Sequence, residues 1–518
     1  MKSATLKKKS VILHFHRLQL AATLILCGAC GAGFVATPAL ARGPAEAGPV
    51  LSLGQFLDQV KGRHDGVRAS QNASAGARER SREGELLTTW TGIGSAQYIS
   101  DSTPSSSLSI GSTQATAFSL GVSKLTDFGL TAKATYSLTN SNLSNVPAAL
   151  AGFVGATSTY TGRFQVDFTQ ALWRNWGGAE TRASQKAIQS AALLTSYSEA
   201  FKIKAALAEA ESTYWRLALA RETVAVTRET LARSEKIRDW NKQRAELNLA
   251  DRSDYIQAEA AVNLRQLELE SALDEERAAA HAFNTLRGID SSEVREFIQP
   301  VDFTLEGSTR VPERGEMRED VMAAREQSRL ADANASAGQE KNKPSLNAFV
   351  SAASAGKDAS LGTSVSNSLS ASTAYLAAGL SLTAPLDFGL LGDTRGGYRR
   401  EQLAAEQNYS RKLFEQDRTW TDLVAQLIEG RHRLDLAKKI ESVQKTKLEL
   451  ERDRHRRGRT TTYQVLLFEQ DYATAQLSRI RAEAQLLSIL AQMKTFSPAT
   501  QSTASPASTT ASKGGDQS

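Results

Sequence analysis

The feature that most constrains this chain is a run of 109 residues, Ala179 to Arg287, without glycine or proline. Glycine and proline are the strongest helix breakers, so this run predicts helix with at most one reversal. A second run, Tyr398 to Phe496, has glycine only at Gly430 and Gly458. Near its end, apolar residues follow the alternating spacing of four and three that is typical of a helix-packing seam: Ala473, Leu477, Ile480, Ala484, Leu487 and Ala491.

Each run contains one polar reversal, at residues 244–254 and 455–463. Asn248 and Gly458 lie within these reversals and are the residue types that most readily adopt a left-handed backbone conformation. Each run therefore predicts an antiparallel helical hairpin. A helix over residues 179–245 would be about 100 Å long at 1.5 Å per residue, which a single globular domain cannot use. Taken alone, the two runs fit a soluble coiled coil equally well.

Between the helical runs, short segments alternate apolar and polar side chains. Segments of about ten residues with one apolar and one polar face fit strands that lie between lipid and water. The turn at Asp127 is short, whereas the segments 100–115, 140–158 and 354–373 are long and rich in small and polar residues. This asymmetry suits an outer-membrane β-barrel, with a soluble sandwich as the alternative. Six strands are expected, at about 90–99, 116–125, 129–139, 159–171, 345–353 and 374–386.

The first 41 residues predict a secretory signal peptide. A basic segment precedes the mostly apolar stretch from Leu18 to Val35, and Ala39-Leu40-Ala41 is a small-x-small cleavage site. A retained anchor and lipid attachment at Cys30 are the alternatives. The chain has a net charge of +6, but five of these charges lie in this segment, so the charge is no argument for nucleic-acid binding. Both cysteines lie there too, which excludes disulfides and thiol chemistry from the mature chain.

An internal repeat organises the rest of the chain. The segment Asn72-Ala73-Ser74-Ala75-Gly76 recurs as Asn334-Ala335-Ser336-Ala337-Gly338. The strand end at 169–172 resembles the one at 383–386, and each precedes a glycine pair and a long helix. The first copy carries about 48 more residues in its strand region, which a hairpin turning at Asp127 would supply. The predicted domains are a signal peptide (1–41), a first repeat (42–288), a linker (289–318), a second repeat (319–496) and a disordered tail (497–518).

The sequence carries no recognisable catalytic or cofactor motif. It lacks HExxH, GxSxG and the phosphate-binding GxxxxGK[ST] pattern, and its histidines have no metal-ligand spacing. We therefore expect no enzyme activity, no cofactor and no metal site. The arginine run at 452–459 could contact nucleic acid, but a signal peptide argues against that partner, so we expect no nucleic acid.

In its order of elements the chain resembles the TolC-like outer-membrane efflux channel family over roughly residues 50–495. The resemblance is carried by the duplicated layout, by the strand-to-helix passage Thr383-Ala384-Pro385-Leu386-Asp387-Phe388-Gly389, and by the two hairpin tips. It implies a mixed α and β membrane protein of duplicated helix–strands–helical hairpin topology. Three copies would close one β-barrel in the outer membrane, continued by an α-helical periplasmic tube. The usual subunit gives four strands. Six here imply either an 18-stranded barrel or an extra hairpin outside the wall.

The function implied by the resemblance is a homotrimeric channel of a tripartite efflux or type I secretion system. It would sit in outer-membrane lipid and extend into the periplasm. Its tips would dock on a periplasmic adaptor protein tied to an inner-membrane pump or ABC transporter, and the transported substrate stays open. An exported structural or adhesive trimeric coiled-coil protein with a barrel anchor is the alternative. Matching to the family's tips gives these adaptor-contact candidates: Leu247, Asn248, Leu249, Gly458, Arg459 and Thr460.

The two tips carry unequal charge, which suggests a gate. Residues 452–459 hold five arginines against Asp453, and the first tip offers Glu246, Asp251 and Asp254. We expect pairs between these sets to help keep a resting pore closed, although a solvated basic face would look the same. Where relatives place aspartates inside the second tip, this chain has Gln464 and Leu467. The predicted constriction residues are Asp251, Asp254, Arg456, Arg457 and Gln464.

Overall fold

The computed structural model describes residues 50–101, 112–144, 156–247, 251–303, 311–370 and 373–498. The predicted signal peptide, Asn248, Leu249 and all but the first two residues of the predicted tail lie outside these ranges. The helices are α1 (Leu53–Arg63), α2 (Asp65–Arg80), α3 (Ala179–Glu246), α4 (Arg252–Leu286), α5 (Glu319–Lys341), α6 (Leu361–Ser368), α7 (Phe388–Arg456) and α8 (Thr462–Met493). No helix in these ranges is long and apolar enough to cross a lipid bilayer.

Two long helical hairpins dominate the fold, as the absence of helix breakers predicts. Helices α3 and α4 form the first hairpin, and α7 and α8 form the second. Helices α3 and α7 contain 68 and 69 residues, so each is about 100 Å long. Helix α7 begins at an Asp387 cap, where the Leu390 backbone N–H donates to Oδ1 at 2.9 Å.

Six strands of the described ranges form one antiparallel sheet, at the positions that side-chain alternation predicts. The strands are β1 (Val50–Leu51), β2 (Trp90–Asp101), β3 (Ser112–Leu125), β4 (Leu130–Ser144), β5 (Ser158–Ala171), β6 (Phe297–Ile298), β7 (Ser345–Asp358) and β8 (Ala374–Thr383). The order in the sheet is β2-β3-β4-β5-β7-β8, so β2 and β8 are its edges. A separate short parallel pair joins β1 to β6.

The register gives the sheet one apolar and one polar face. Leu120 lies opposite Tyr136, and Tyr136 lies opposite Phe164, so these side chains share a face. On the other face Lys133 lies opposite Asp167. Because successive side chains along a strand point to opposite faces, the pairing in one row determines the face on which every other side chain lies.

The chain order repeats, although the two copies differ in strand number. Helix α2, four strands and the α3–α4 hairpin are followed by α5, two strands and the α7–α8 hairpin. The hairpin β3–β4, whose turn includes Asp127, is the part that the sequence predicts as additional in the first copy. The domain boundaries assigned from the sequence stay a prediction.

The segment 354–373, whose composition predicts a long loop between strands, contains the end of β7 and helix α6. Ser360 caps α6 by accepting a hydrogen bond from the Thr363 backbone N–H at 3.3 Å. Ser364 accepts from Gly162 N–H at 2.9 Å and donates to the Gly356 carbonyl at 2.8 Å, which fixes α6 on β5 and β7. The serine-rich composition does not predict this helix, because serine is a weak helix former and the helix is stabilised by tertiary contacts.

The main hydrophobic core lies where both hairpins meet α1 and the β1–β6 pair. The rings of Phe56 and Phe283 stack at 4.2 Å between centroids, beside the fully buried Tyr214. The Tyr214 hydroxyl donates to the Leu51 carbonyl at 2.8 Å and accepts from the Gln299 backbone N–H at 3.1 Å. Leucines of α7 and α8 belong to the same cluster, so one core holds the two repeats together.

A tight contact joins the β3–β4 turn to the passage from β5 into α3. Asn175, Gly177 and Gly178 have φ values of +58°, +59° and +79°, in the left-handed region. This backbone path brings Gly178 so close to the turn that a Cβ on it would lie 1.7 Å from the Asp127 carbonyl oxygen. The glycine pair seen in the sequence therefore permits a backbone-to-backbone contact.

Candidate functional site

The tip of the first hairpin is a short turn between α3 and α4. Leu247 follows the end of α3, is exposed, and donates its backbone N–H to the Gln243 carbonyl at 3.2 Å. Asp251 caps α4, where its Oδ1 accepts from the Ser253 backbone N–H at 3.0 Å. Asp254 lies in the first turn of α4 and is half-buried. Asp251 thus has a structural role at this tip.

The tip of the second hairpin ends α7 through Gly458, whose φ is +71°. The backbone N–H of Gly458 donates to the His455 carbonyl, and that of Arg459 to the Arg454 carbonyl, each at 2.9 Å. These bonds satisfy the last carbonyls of the helix. The Thr460 hydroxyl contacts Glu451 and Gln464 and so joins α7 to α8.

The two tips touch through a buried aromatic and polar cluster. The His455 ring lies 4.4 Å from the Trp240 ring, measured between centroids, and His455 Nε2 lies 3.5 Å from the Thr462 hydroxyl. That hydroxyl is 2.9 Å from Asn241 Oδ1, and Asn241 Nδ2 donates to the Ile237 carbonyl at 2.9 Å. The cluster fixes α3 against both helices of the second hairpin.

Burial, followed by the positive charge of Arg244, lowers the pKa of His455 from its ordinary value of 6.5. The charges of Asp254 and Glu451 act in the opposite direction but do not offset these effects. His455 is therefore neutral in the packed tip at neutral pH. When the tip loosens and the ring becomes exposed, its pKa rises toward 6.5, so protons bind preferentially to the loosened form.

Acidification should therefore weaken tip packing, because the lowered pKa makes the packed state the poorer proton binder. Protonation of His455 has no effect on tip packing well above pH 6.5. Below pH 6.5 it destabilises the packed state, by at most about 1.4 kcal/mol per pH unit. Amide hydrogen exchange of residues 236–246 and 451–465, corrected for intrinsic rates, should be faster at pH 5.5 than at pH 7.5. His455→Gln should remove this difference, whereas His432→Gln, at an exposed position of α7, should keep it. An unchanged pH response in His455→Gln would contradict the role of this ring.

A buried electrostatic contact between the hairpins is centred on Glu469, which is not among the residues predicted from the sequence. Its carboxylate is nearly inaccessible to solvent. One oxygen accepts from Arg233 Nε of α3 at 2.9 Å, and the other accepts from Arg452 Nε of α7 at 2.8 Å. One carboxylate thus joins three helices from both hairpins. The sequence did contain one indication of this role: Glu469 lies one helical turn before Ala473, on the face of α8 that the seam predicts to be buried.

A cleft of about 860 Å³ lies beside this contact, between α3 and the second hairpin. Its walls combine charged side chains with apolar ones such as Ile237, Leu450 and Val465, so the cleft is of mixed character. In the described part of the chain, no group of three or more His, Cys, Asp or Glu side chains is arranged to hold a metal ion. Residues of the cleft wall include Arg233, Lys236, Trp240, Arg452, His455 and Glu469.

The structure brings some of the predicted tip residues together and separates others. Gly458, Arg459 and Thr460 share one turn, with Gln464 one helical turn further on. Arg456 forms its ion pair with Asp453 on its own helix, although the sequence suggested a partner in the first tip. The pairing of Arg456 and Arg457 with Asp251 and Asp254, and the adaptor-contact assignments, stay predictions.

The comparisons with known proteins identify the fold and no close relative. No protein-family model and no curated protein sequence matches the chain. The outer-membrane protein VceC from Vibrio cholerae is similar in structure, with a TM-score of 0.61 and 14% identity over 86% of this chain and 96% of that one. The open state of the Neisseria gonorrhoeae MtrE outer-membrane channel has a TM-score of 0.61 and 16% identity, over 86% of this chain and 88% of that one. The Campylobacter jejuni CmeC outer-membrane channel has a TM-score of 0.58 and 15% identity, over 86% of this chain and 85% of that one.

These similarities extend over most of each chain. At identities of 14–16% they establish architecture and leave the role of individual residues open. The resemblance expected from the duplicated layout is therefore confirmed at the level of the fold: this chain has the mixed α and β fold of the TolC-like outer-membrane channels.

Proposed function

We propose that this protein is a homotrimeric outer-membrane channel that gives substrates an exit path across the periplasm and the outer membrane. The observation that carries the proposal is the single open sheet with an exposed apolar face. Its edge strands β2 and β8 do not pair with each other in one subunit. Unpaired strand edges are not tolerated in lipid, so neighbouring copies must satisfy them.

Apolar side chains on the long helices support the same assembly. Several apolar residues of α4 and α7 are well exposed in the single chain. Exposed apolar surface of this kind typically marks a contact with another protein chain. In a trimer, adjacent hairpins would cover them and form the continuous wall of a tube. The residues are Ile256, Leu264 and Leu267 of α4, and Phe414, Ile428, Ile440, Val443 and Leu450 of α7.

The fold also supports the proposed partners. The two hairpin tips lie together at the end of the helices remote from the sheet, where a periplasmic adaptor would dock. Leu247, Gly458, Arg459 and Thr460 are the described candidates for that contact. The adaptor would connect the channel to an inner-membrane pump or ABC transporter, which covers both efflux and type I secretion. Opening would be a change in tip packing that adaptor binding favours.

The purified full-length protein should be trimeric by light scattering in detergent and should conduct ions in planar bilayers. The competing proposal, an exported adhesive protein with a membrane anchor, predicts trimers without a continuous conduit across the envelope. Loss of the gene should sensitise cells to transported compounds or block export of a secreted protein. A monomer in detergent, or a trimer that never conducts even after the tips are loosened, would refute the channel.

A further inference from the structure

The hairpin β3–β4 is an integral part of the sheet. It lies between β2 and β5 and pairs with both along their lengths. The β2–β3 register runs from Trp90–Lys124 to Asp101–Thr113, and the β4–β5 register runs from Leu130–Gln170 to Asn142–Ser158. Moving the hairpin out of the wall would break both of these pairings, and β2 would then have to pair with β5 instead.

The faces of the hairpin continue those of the rest of the sheet. Leu120 of β3 and Phe164 of β5 flank Tyr136 of β4 on the apolar face. Leu120 is 73% exposed in the single chain, as expected for a side chain that faces lipid in the assembly. On the polar face, the hydroxyls of Ser95 in β2 and Ser119 in β3 are 2.8 Å apart. A hairpin lying in water above or below the membrane would have no use for this apolar face.

The turn of the hairpin is fixed at the level where the sheet passes into the helices. The Ala171 backbone N–H, at the end of β5, donates to the Gly129 carbonyl at 3.3 Å. Arg182 in the first turn of α3 donates to the Asp127 carbonyl at 3.1 Å. The ends of β3 and β4 therefore align with the end of β5, as strands of one wall must.

We propose that three copies of this chain close a sheet of 18 strands, with β2 of each subunit paired to β8 of the next. This rests on the trimeric channel proposed above. The occupant of each free strand edge is a second copy of the same chain. At 4.8 Å between strands and a tilt near 40°, 18 strands enclose a backbone diameter of about 36 Å, against about 24 Å for 12 strands. The exit for substrate through the membrane is correspondingly wider than four strands per subunit would give.

The first test is cryo-electron microscopy of the full-length protein in lipid nanodiscs, in which the strands around the wall are counted. Eighteen strands are expected, and 12 strands with β3–β4 outside the wall would overturn the inference. If the protein is not trimeric at all, the proposed function fails as well, and light scattering detects that failure separately.

A second test uses the absence of cysteine from the chain beyond residue 30. The double variants Ser95→Cys/Ser119→Cys and Thr135→Cys/Gln165→Cys place thiols across β2–β3 and β4–β5. Both should form intrachain disulfides under mild oxidation in membrane-inserted trimers that still conduct. Thr91→Cys/Ser137→Cys, which places thiols on the non-adjacent strands β2 and β4, is the control and should stay reduced. Reduced thiols in both test variants would contradict the inference.

A third test measures bore width. Deletion of residues 112–144 removes β3 and β4 and leaves β2 and β5 able to pair in the same antiparallel sense. Polyethylene glycols added on the strand side of a bilayer lower conductance only when they can enter. The largest polymer admitted by the intact protein should have at least about 1.5 times the diameter admitted by the deletion variant, since side chains narrow both bores equally. If both proteins form conducting trimers and admit polymers of the same size, the proposal is overturned. If the deletion variant does not fold, the disulfide test decides whether β3–β4 lies in the wall.

Discussion

Replacement of Gly178 by alanine should reduce the yield of the folded trimer proposed above by at least tenfold. The residue has a φ of +79°, which costs a non-glycine residue about 1–2 kcal/mol. Its new Cβ would also lie 1.7 Å from the Asp127 carbonyl oxygen and 2.6 Å from the Asp127 carbonyl carbon. Backbone cannot yield as a flexible side chain can, so the β3–β4 turn must move away from the start of α3. The trimer fraction that resists SDS is the measurement, because it reports folding and assembly together.

Gly177→Ala is the matched control for this prediction. Gly177 has a φ of +59°, but a Cβ added there meets no atom within 4 Å. The control therefore carries the backbone strain without the collision, and its trimer yield should fall far less. Equal losses in the two variants would show that backbone conformation, and not the contact with Asp127, makes the glycine pair necessary.

Replacement of Glu469 by alanine should loosen the contact between the two hairpins and raise the conductance of the proposed channel severalfold. The change leaves Arg233 and Arg452 facing each other without their shared carboxylate. Breaking a fully buried pair typically costs 3–5 kcal/mol. Because the Arg452 side chain is 38% exposed, solvent screening reduces the expected cost to about 2 kcal/mol. Single-channel recording measures the conductance, and hydrogen exchange of residues 229–246 reports the local loosening.

Two further variants separate charge from shape at this position. Glu469→Gln keeps the size of the side chain and should give an intermediate conductance. Glu429→Ala removes a glutamate from an exposed pair with Arg433 on α7 and should change little, because such pairs contribute about 0–1 kcal/mol. If Glu469→Ala leaves both conductance and hydrogen exchange at the level of Glu429→Ala, the carboxylate does not hold the hairpins together.

Part of the candidate site could be predicted from the sequence. The reversals at 244–254 and 455–463 placed both tips correctly, because helix breakers and left-handed residue types act locally. The charge pattern predicts ion pairs between the arginines of residues 452–459 and the acidic residues of the first tip. In the structure Arg456 pairs with Asp453 on its own helix, and Glu469 makes the contact that joins the hairpins.

The sequence by itself determined the long helices, the six strands and the duplicated order, because spacing of breakers and side-chain alternation are properties of neighbouring residues. Only the tertiary structure decided that β3–β4 lies inside the sheet, that Gly178 contacts the Asp127 turn, and that Glu469 meets Arg233, which is 236 residues earlier in the chain. Such contacts depend on how distant segments pack and on which side chains that packing buries. Local periodicity in the sequence does not predict the packing of distant segments or the burial that results from it.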